Sequence, residues 1–307
     1  MSLQETKLRE IADAIREQER SSGDIPAKDF ASRVRALKIG EDVDVTLLTT
    51  EIDKLTGVYE SSFTWDRVLA NNTPAQISAV SARIAQDGLT SQQVFETYGW
   101  SLGDEIPITL TSGETIEMQI IGFNHDNKSD GSGKAGITLQ MVECLATSYP
   151  MNSSSTNAGG YAASKMKTET LPTLKALLPQ EWQDVIKLVD KKSANGGSSN
   201  YSETLTTSDD LFLLAGIELF GSEGSYDYAQ DGANEGAQYE YWTGKAAADR
   251  IKKYDKDADG VPETATAWWL RSSYYKYTNY FCIGGTYGNA NSSNAIYSLG
   301  VAFGFCV

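Results

Sequence analysis

The sequence predicts an α+β protein: a helical N-terminal region, then a domain of short strands, two helices and long loops. Three observations carry this. Up to Tyr98, apolar residues recur at helical spacing between charged ones. After Gly99, short apolar runs alternate with turns rich in Gly, Ser and Asn, which is how strands and their connections read. Between Leu171 and Val189 two helical stripes return, so the C-terminal part is mixed rather than all β. A length of 307 residues corresponds to about two domains and allows a sizeable core.

The elements follow in order. Leu8, Ile11, Ala12 and Ile15 form one helical stripe within residues 3–20. Ser21-Ser22-Gly23-Asp24-Ile25-Pro26 breaks it, and a second short helix carries Phe30, Val34 and Leu37. Two such helices bury little by themselves, so residues 1–40 are expected to be a module for self-association, as a trimer, or for attachment to a larger particle. Residues 41–99 form a further helical region. There Pro74 occupies the first helical position, Ile77, Val80 and Ile84 make the stripe, and Gly88 ends the helix. A short helix spans about Ser91 to Tyr98. Residues 100–307 then form one domain. Ile106–Leu110 and Ile116–Ile121 flank Thr111-Ser112-Gly113-Glu114 as a β-hairpin, Asn124–Gly136 is a polar loop, and Ile137–Leu145 is a third strand. Leu171–Leu178 and Glu181–Val189 read as two helices split by Pro179. Residues 193–208 read as a loop, Asp210–Leu219 as a strand and residues 221–240 as an acidic loop. Ala265–Arg271, Tyr280–Gly284 and Gly300–Cys306 read as closing strands.

Composition excludes several function classes. The net charge of −15 argues against nucleic acid or an anionic membrane as the main partner. No apolar run is long enough for a membrane-spanning helix. Met1 to Arg20 is charged throughout and has no apolar stretch of the kind a secretory signal needs, so none is expected. A single histidine, His125, is incompatible with a multi-histidine metal site and argues against a Ser-His-Asp hydrolase. Beside Asp126 in a polar loop, it reads as a structural hydrogen-bonding residue. The three cysteines, Cys144, Cys282 and Cys306, cannot make a disulfide framework, and two buried thiols at Cys282 and Cys306 are expected rather than a bond.

Two local patterns could hold a ligand. Asp255, Asp257, Asp259 and Gly260 have the spacing that opens a calcium loop, but Thr266 stands where the closing bidentate Glu belongs. At most a weak calcium site is expected, and no other cofactor. Thr156-Asn157-Ala158-Gly159-Gly160 lacks the Lys and the strand–loop–helix context of a phosphate loop. In Trp268-Trp269, strand alternation would send one ring inward and one outward.

The last segment is the most informative. Ser272 to Val307 contains no Asp, Glu, Gln, Met or Trp and one Lys, Lys276. Within residues 273–299 there are six Tyr, four Asn and four Ser. That is the palette of an antibody paratope: Tyr gives large amphipathic contact for few rotatable bonds, and Ser, Gly and Asn give adaptable hydrogen bonds. Randomising the adenines of an AAC codon yields Asn, Ser, Thr, Tyr, Ile and Gly but never Glu, Gln, Met, Trp or Lys, which matches this segment apart from Lys276. Apolar pieces bracket the string, and Phe281, Ala295, Val301, Phe303 and Phe305 are expected to be buried.

Trp268-Trp269-Leu270-Arg271-Ser272 and Gly300-Val301-Ala302-Phe303-Gly304-Phe305 resemble the end of variable proteins made by diversity-generating retroelements. Gly122-Phe123-Asn124-His125-Asp126, Tyr149-Pro150-Met151-Asn152 and Asn157-Ala158-Gly159-Gly160-Tyr161 are similar to a domain of unknown function common in gut bacteria and their phages. Ile11-Ala12-Asp13-Ala14-Ile15-Arg16 with Ile25-Pro26-Ala27-Lys28-Asp29-Phe30 resembles a module at the start of phage structural proteins. The resemblance implies a C-type-lectin-like domain with a hypervariable, solvent-facing surface. The candidate ligand-binding residues are Tyr274, Tyr275, Tyr277, Thr278, Asn279, Tyr280, Ile283, Gly284, Thr286, Tyr287, Asn289, Asn291, Ser292, Ser293, Asn294, Ile296, Tyr297 and Leu299. It implies a non-enzymatic, virion-associated protein, made in the bacterial cytoplasm, whose partner is a protein or glycan receptor on a bacterial surface. Two alternatives remain. One is a formylglycine-generating-type oxidase on the same fold, with Cys282 and Cys306 as its cysteine pair. The other is a structural virion protein whose C-terminal domain only packs.

Overall fold

The computed structural model describes residues 64–197, 204–221, 235–255 and 260–307. The chain divides into two compact units, Met1–Thr64 and Trp65–Val307. The expected module at 1–40 and Asp257 and Asp259 therefore lie outside the described residues, as do residues 222–234 of the acidic loop. The second unit begins at Trp65, well before the expected domain start at residue 100. Among the described residues no helix is long and apolar enough to cross a membrane.

Two helices open this unit as the sequence predicts. α1 (Pro74–Asp87) starts at a capping box in which Thr73 and Gln76 satisfy each other's first-turn groups, and it stops at Gly88 in the left-handed region. α2 (Ser91–Tyr98) repeats the device with Thr90, Gln93 and Gly99. The apolar stripe of α1 is fully buried at Ile77, Val80 and Ile84. Ser81, on the same face, donates to the Val307 carbonyl and accepts from the Ile137 amide at 3.0 Å. A Cβ on Gly136 would lie 1.9 Å from the Ser81 carbonyl oxygen, so only glycine lets the helix come this close.

That contact seats α1 on a five-stranded sheet. β1 (Glu105–Thr109), β2 (Thr115–Phe123) and β3 (Ile137–Met141) form an antiparallel meander, and β6 (Leu211–Phe212) and β12 (Gly304–Cys306) complete it in the order β1-β2-β3-β12-β6. β12, from the end of the described chain, pairs antiparallel with both β3 and β6. α3 (Leu171–Lys175) and α4 (Gln180–Gln183) flank this core, with Trp182 edge-on to Phe305 at 5.7 Å. The second helix is shorter than its sequence pattern suggested: Lys187 already bridges to Cys306, and Val189 opens β4.

The remaining strands form three small sheets. β4 (Val189–Ala194) and β5 (Thr204–Asp209) pair antiparallel where a loop was expected, because β4 buries Lys191 and Ser193 beside Val189 and β5 is rich in Thr, so neither gives an apolar alternation to read. Asp210–Leu219 is not one strand but β6 followed by α5 (Gly216–Phe220). β7 (Lys252–Tyr254) pairs with β8 (Thr264–Thr266). β9 (Trp268–Ser273), β10 (Tyr280–Gly284) and β11 (Ala290–Asn294) form the third sheet in the order β11-β10-β9. Both tryptophans of β9 are buried, against the inward–outward expectation. Alternation does place them on opposite faces, but chain covers both: Trp268 donates to the Arg250 carbonyl at 3.3 Å and Trp269 to the Tyr149 carbonyl at 2.7 Å.

Candidate functional site

The candidate residues occupy the β9–β10–β11 sheet and its connections. Around them the scaffold is closed: Phe281, Ala295, Val301, Phe303 and Phe305 are all fully buried, as expected. Between these anchors the side chains come to the surface. Tyr277, Tyr287 and Tyr297 are 55%, 81% and 57% exposed, and Ile296 is 43% exposed. Thr278, Thr286, Asn289 and Asn291 are also exposed, while Tyr274, Tyr275, Asn279, Tyr280, Ser292, Ser293, Asn294 and Leu299 are half-buried.

Two candidates do not face solvent. Ile283 and Gly284 are buried in β10. The strand here is flanked by β9 and β11, and Ile283 and Gly284 pair with Trp269 and Trp268. A Cβ at Gly284 would stand 2.4 Å from the Trp268 indole nitrogen, so this position cannot accept another side chain without moving the tryptophan. Both residues belong to the scaffold.

The rest gather unequally. Tyr274, Tyr275, Tyr277 and Tyr280 make one aromatic cluster, with ring centroids 5.5 Å apart for Tyr274–Tyr275, 5.7 Å for Tyr274–Tyr277 and 5.1 Å for Tyr277–Tyr280. Asn279 and Asn294 join it: their carboxamides donate to Ser155 Oγ at 3.1 and 2.8 Å. Ile296 and Tyr297 follow directly, hydrogen-bonded back to Asn294. Thr286, Tyr287 and Asn289 instead occupy the β10–β11 turn, at the far end of the hairpin. Neither of the two described cavities, of about 1040 and 670 Å³, is lined by any residue of 273–299.

Behind this face lies a charged cluster that sequence reasoning missed. Arg271, fully buried on β9, donates to Glu218 Oε2 at 2.5 Å and Oε1 at 2.7 Å, and to the main-chain carbonyls of Lys192, Leu213 and Glu235. Lys191, on β4, reaches Asp126 Oδ1 at 2.5 Å, Glu218 Oε1 at 3.2 Å and Tyr239 Oη at 2.7 Å. Glu235 accepts from the Ala194 amide at 2.6 Å and from Ser272. Burial alone would raise the Asp126 carboxyl, but Lys191 and His125 reverse it and hold the group below the ordinary range. Glu218 likewise sits below its ordinary value, burial being outweighed by Arg271 and Lys191. Glu235 goes the other way: burial raises it, and Arg271 and its hydrogen bonds only partly compensate.

His125, Asp126 and Glu218 bring a nitrogen and two carboxylate oxygens within 4.8 Å of one another. The cation between the two carboxylates is Lys191 itself, so this donor set fits an ammonium rather than a metal ion. The His125 ring stacks on Tyr239 at 3.9 Å, a structural role through packing, and burial lowers its pKa despite the neighbouring Asp126. Of the calcium pattern, only Asp255 and Gly260 are described. Asp255 Oδ2 accepts the Gly260 amide at 2.7 Å.

The cysteines do not form a pair. All three are free and buried; Cys282 lies at the β9–β10 bulge, and Cys306 lies in the other sheet on β12. Burial and the adjacent Asp126 push the Cys306 thiol well above its ordinary value, the opposite of what a thiolate nucleophile needs. Cys144 is likewise pushed up to about 12 by burial.

Fold and site together define a mixed α+β domain whose C-terminal sheet combines a buried apolar frame with a surface rich in Tyr, Asn and Ser and free of acidic residues. The chain belongs to the family described as a domain of unknown function, DUF6273, which matches residues 135–307. No curated protein and no solved structure matches it.

Proposed function

We propose that this is a non-enzymatic receptor-binding protein of the kind that diversity-generating retroelements vary, with a C-type-lectin-like C-terminal domain carried on a phage particle. The observation that carries the reading is the division of labour within residues 273–299. Tyr277, Tyr287 and Tyr297 are exposed, while Phe281 and Ala295, interleaved with them, are fully buried. Large exposed tyrosines are uncommon on a surface without a partner and enriched where proteins bind. Small-molecule sites are concave, and these residues line neither described cavity, so a macromolecular receptor fits the surface better than a free metabolite. Residues 273–299 hold no acidic side chain and a single charge, Lys276, which on a chain of net charge −15 favours contact through shape and hydrogen bonds over charge steering.

The test is substitution of the exposed Tyr277, Tyr287 and Tyr297 together by Ala, read against a panel of intact gut-bacterial cells. The wild-type protein should adhere to a subset of strains. The triple variant should lose adherence while its melting temperature stays within a few degrees, since surface substitutions typically change stability by about 0.5 kcal/mol or less each. Unfolding of the triple variant, or undiminished adherence, rejects the reading. A near-identical template repeat and a reverse-transcriptase gene beside the coding DNA would support it independently.

A further inference from the structure

The display segment touches a strip of chain that the functional reading leaves unexplained. Residues 149–157 run along it and meet it through the main chain. Tyr149 and Leu299 exchange both amide hydrogen bonds, at 3.0 and 3.1 Å. The Asn152 amide donates to the Ala295 carbonyl at 2.9 Å, and the Asn157 amide to the Thr278 carbonyl at 2.8 Å. Asn152 stiffens the strip itself, donating to the Thr156 carbonyl at 2.7 Å and accepting from the Lys165 amide at 2.9 Å.

Asn157 does most here. The residue is 1% exposed. Nδ2 faces the carbonyl oxygens of Tyr280 at 2.8 Å, Tyr277 at 2.9 Å and Tyr274 at 3.4 Å. Oδ1 accepts from the Gly197 amide at 2.8 Å. The orientation of the carboxamide follows from its partners, since one end meets only carbonyls and the other an N–H. Glycines make room for it. A Cβ on Gly196 would lie 2.0 Å from the Asn157 carbonyl oxygen, and one on Gly160 2.1 Å from that of Ala194. The Asn157-Ala158-Gly159-Gly160 sequence is thus a clip for the neighbouring chain rather than a ligand loop.

We infer that Asn157 is the positioning residue of the tyrosine loop: it fixes the course of residues 274–280 through their main-chain carbonyls, so the loop keeps one shape whatever side chains it bears. Every residue type offers a carbonyl. A clip that binds only carbonyls therefore tolerates any substitution in the loop that its backbone conformation allows. The Ser155 contacts to Asn279 and Asn294 differ, because they use display side chains and vanish when those change. The inference deepens the receptor-binding reading and takes its biological meaning from it, but the shape itself is a property of the free protein.

The experiment is amide hydrogen exchange on the full chain without any ligand. Two variants are compared with the wild type: Asn157→Asp, which removes the donors and sets a carboxylate against carbonyls, and a fourfold Tyr274, Tyr275, Tyr277 and Tyr280→Ser. The reporters are the amides of Tyr274, bonded to the Tyr280 carbonyl, and of Ala295, bonded to the Asn279 carbonyl. In Asn157→Asp these should exchange about tenfold faster or more, the factor that losing one or more ordinary hydrogen bonds implies. The β2–β3 amides should keep wild-type rates, which separates a positioning role from a general structural one. In the fourfold variant all reporters should stay within about threefold of wild type. Wild-type rates at the reporters in Asn157→Asp, or equal opening in the fourfold variant, overturns the inference. If Asn157→Asp also opens β2–β3, Asn157→Ser is read by the same rates and the same criteria. Loss of cell adherence in the tyrosine triple variant bears on the receptor reading alone, so the two can fail separately.

Discussion

Phe303 and Tyr287 stand sixteen residues apart in the same segment and illustrate opposite physics. Phe303 is fully buried, and truncating such a ring typically costs about 3–5 kcal/mol through lost transfer energy and a residual cavity. Tyr287 is 81% exposed on a turn, and Tyr287→Ala should stay within about 0.5 kcal/mol. Urea midpoints at constant m-value measure both; equal losses would mean that scaffold and display are not separate residues. Lys191 offers a second contrast. Its ammonium lies between two buried carboxylates, Asp126 and Glu218. Lys191→Met keeps the volume and removes the charge, leaving both acids uncompensated, and should cost about 3–5 kcal/mol. A loss below about 1 kcal/mol, the range of an exposed pair, would show that the cluster is more hydrated than its burial indicates.

At the scale of elements, the two N-terminal helices of the described unit are part of the core. Ile77, Val80 and Ile84 are fully buried. Each contributes about 1.5–3 kcal/mol, together roughly 5–9 kcal/mol, which compares with the 5–15 kcal/mol total typical of a domain. A chain beginning at residue 65 should therefore show a cooperative thermal transition. One beginning at residue 100 loses α1 and α2, together with the Ser81 bridge to Val307 and Ile137, and should lose that transition. Retention of the full melting temperature by the shorter chain would place the boundary at residue 100 after all. The β4–β5 hairpin matters for a different reason. Its first strand, β4, carries Lys191 and ends at Ala194, whose amide donates to Glu235.

For the whole molecule, the buried cluster predicts a dependence on pH. Asp126 and Glu218 lie below their ordinary values in the fold. Their contribution is complete above the unfolded values of about 4 and is lost as pH falls through the lower native values. Glu235 has the opposite sign. Its native value is raised, so it costs stability progressively as pH rises from about 4.3, its unfolded value, through the native one. Glu235→Gln removes that cost and keeps an acceptor for the Ala194 amide. Its stability relative to wild type should therefore improve between pH 4.5 and pH 7, measured as the difference in urea midpoints. A difference that is flat or reversed over that window would mean that Glu235 is ionised in the fold without penalty.

Elements whose signals are local were legible in the chain. The caps at Thr73 and Thr90, the stops at Gly88 and Gly99, the β1–β2 hairpin and the buried frame of Phe281, Phe303 and Phe305 depend on propensity, turn chemistry and alternation, all readable within a few neighbours. The Tyr, Asn and Ser content of residues 273–299 was legible for the same reason, from composition, and the exposure of Tyr277, Tyr287 and Tyr297 agrees with it. Packing between distant segments settled whatever depends on the other side of a contact. Gly284 read as a candidate ligand-binding residue at the end of a closing strand until Trp268 came to lie 2.4 Å from its missing Cβ. Both Trp268 and Trp269 are buried because separate segments cover the two faces of β9. The Asp126–Lys191–Glu218–Arg271 cluster joins residues up to 145 positions apart, and Asn157 clips a loop more than 100 residues further on. No local pattern encodes such pairs, because burying a charge or a carboxamide becomes favourable only once the fold has brought its partners within hydrogen-bonding distance.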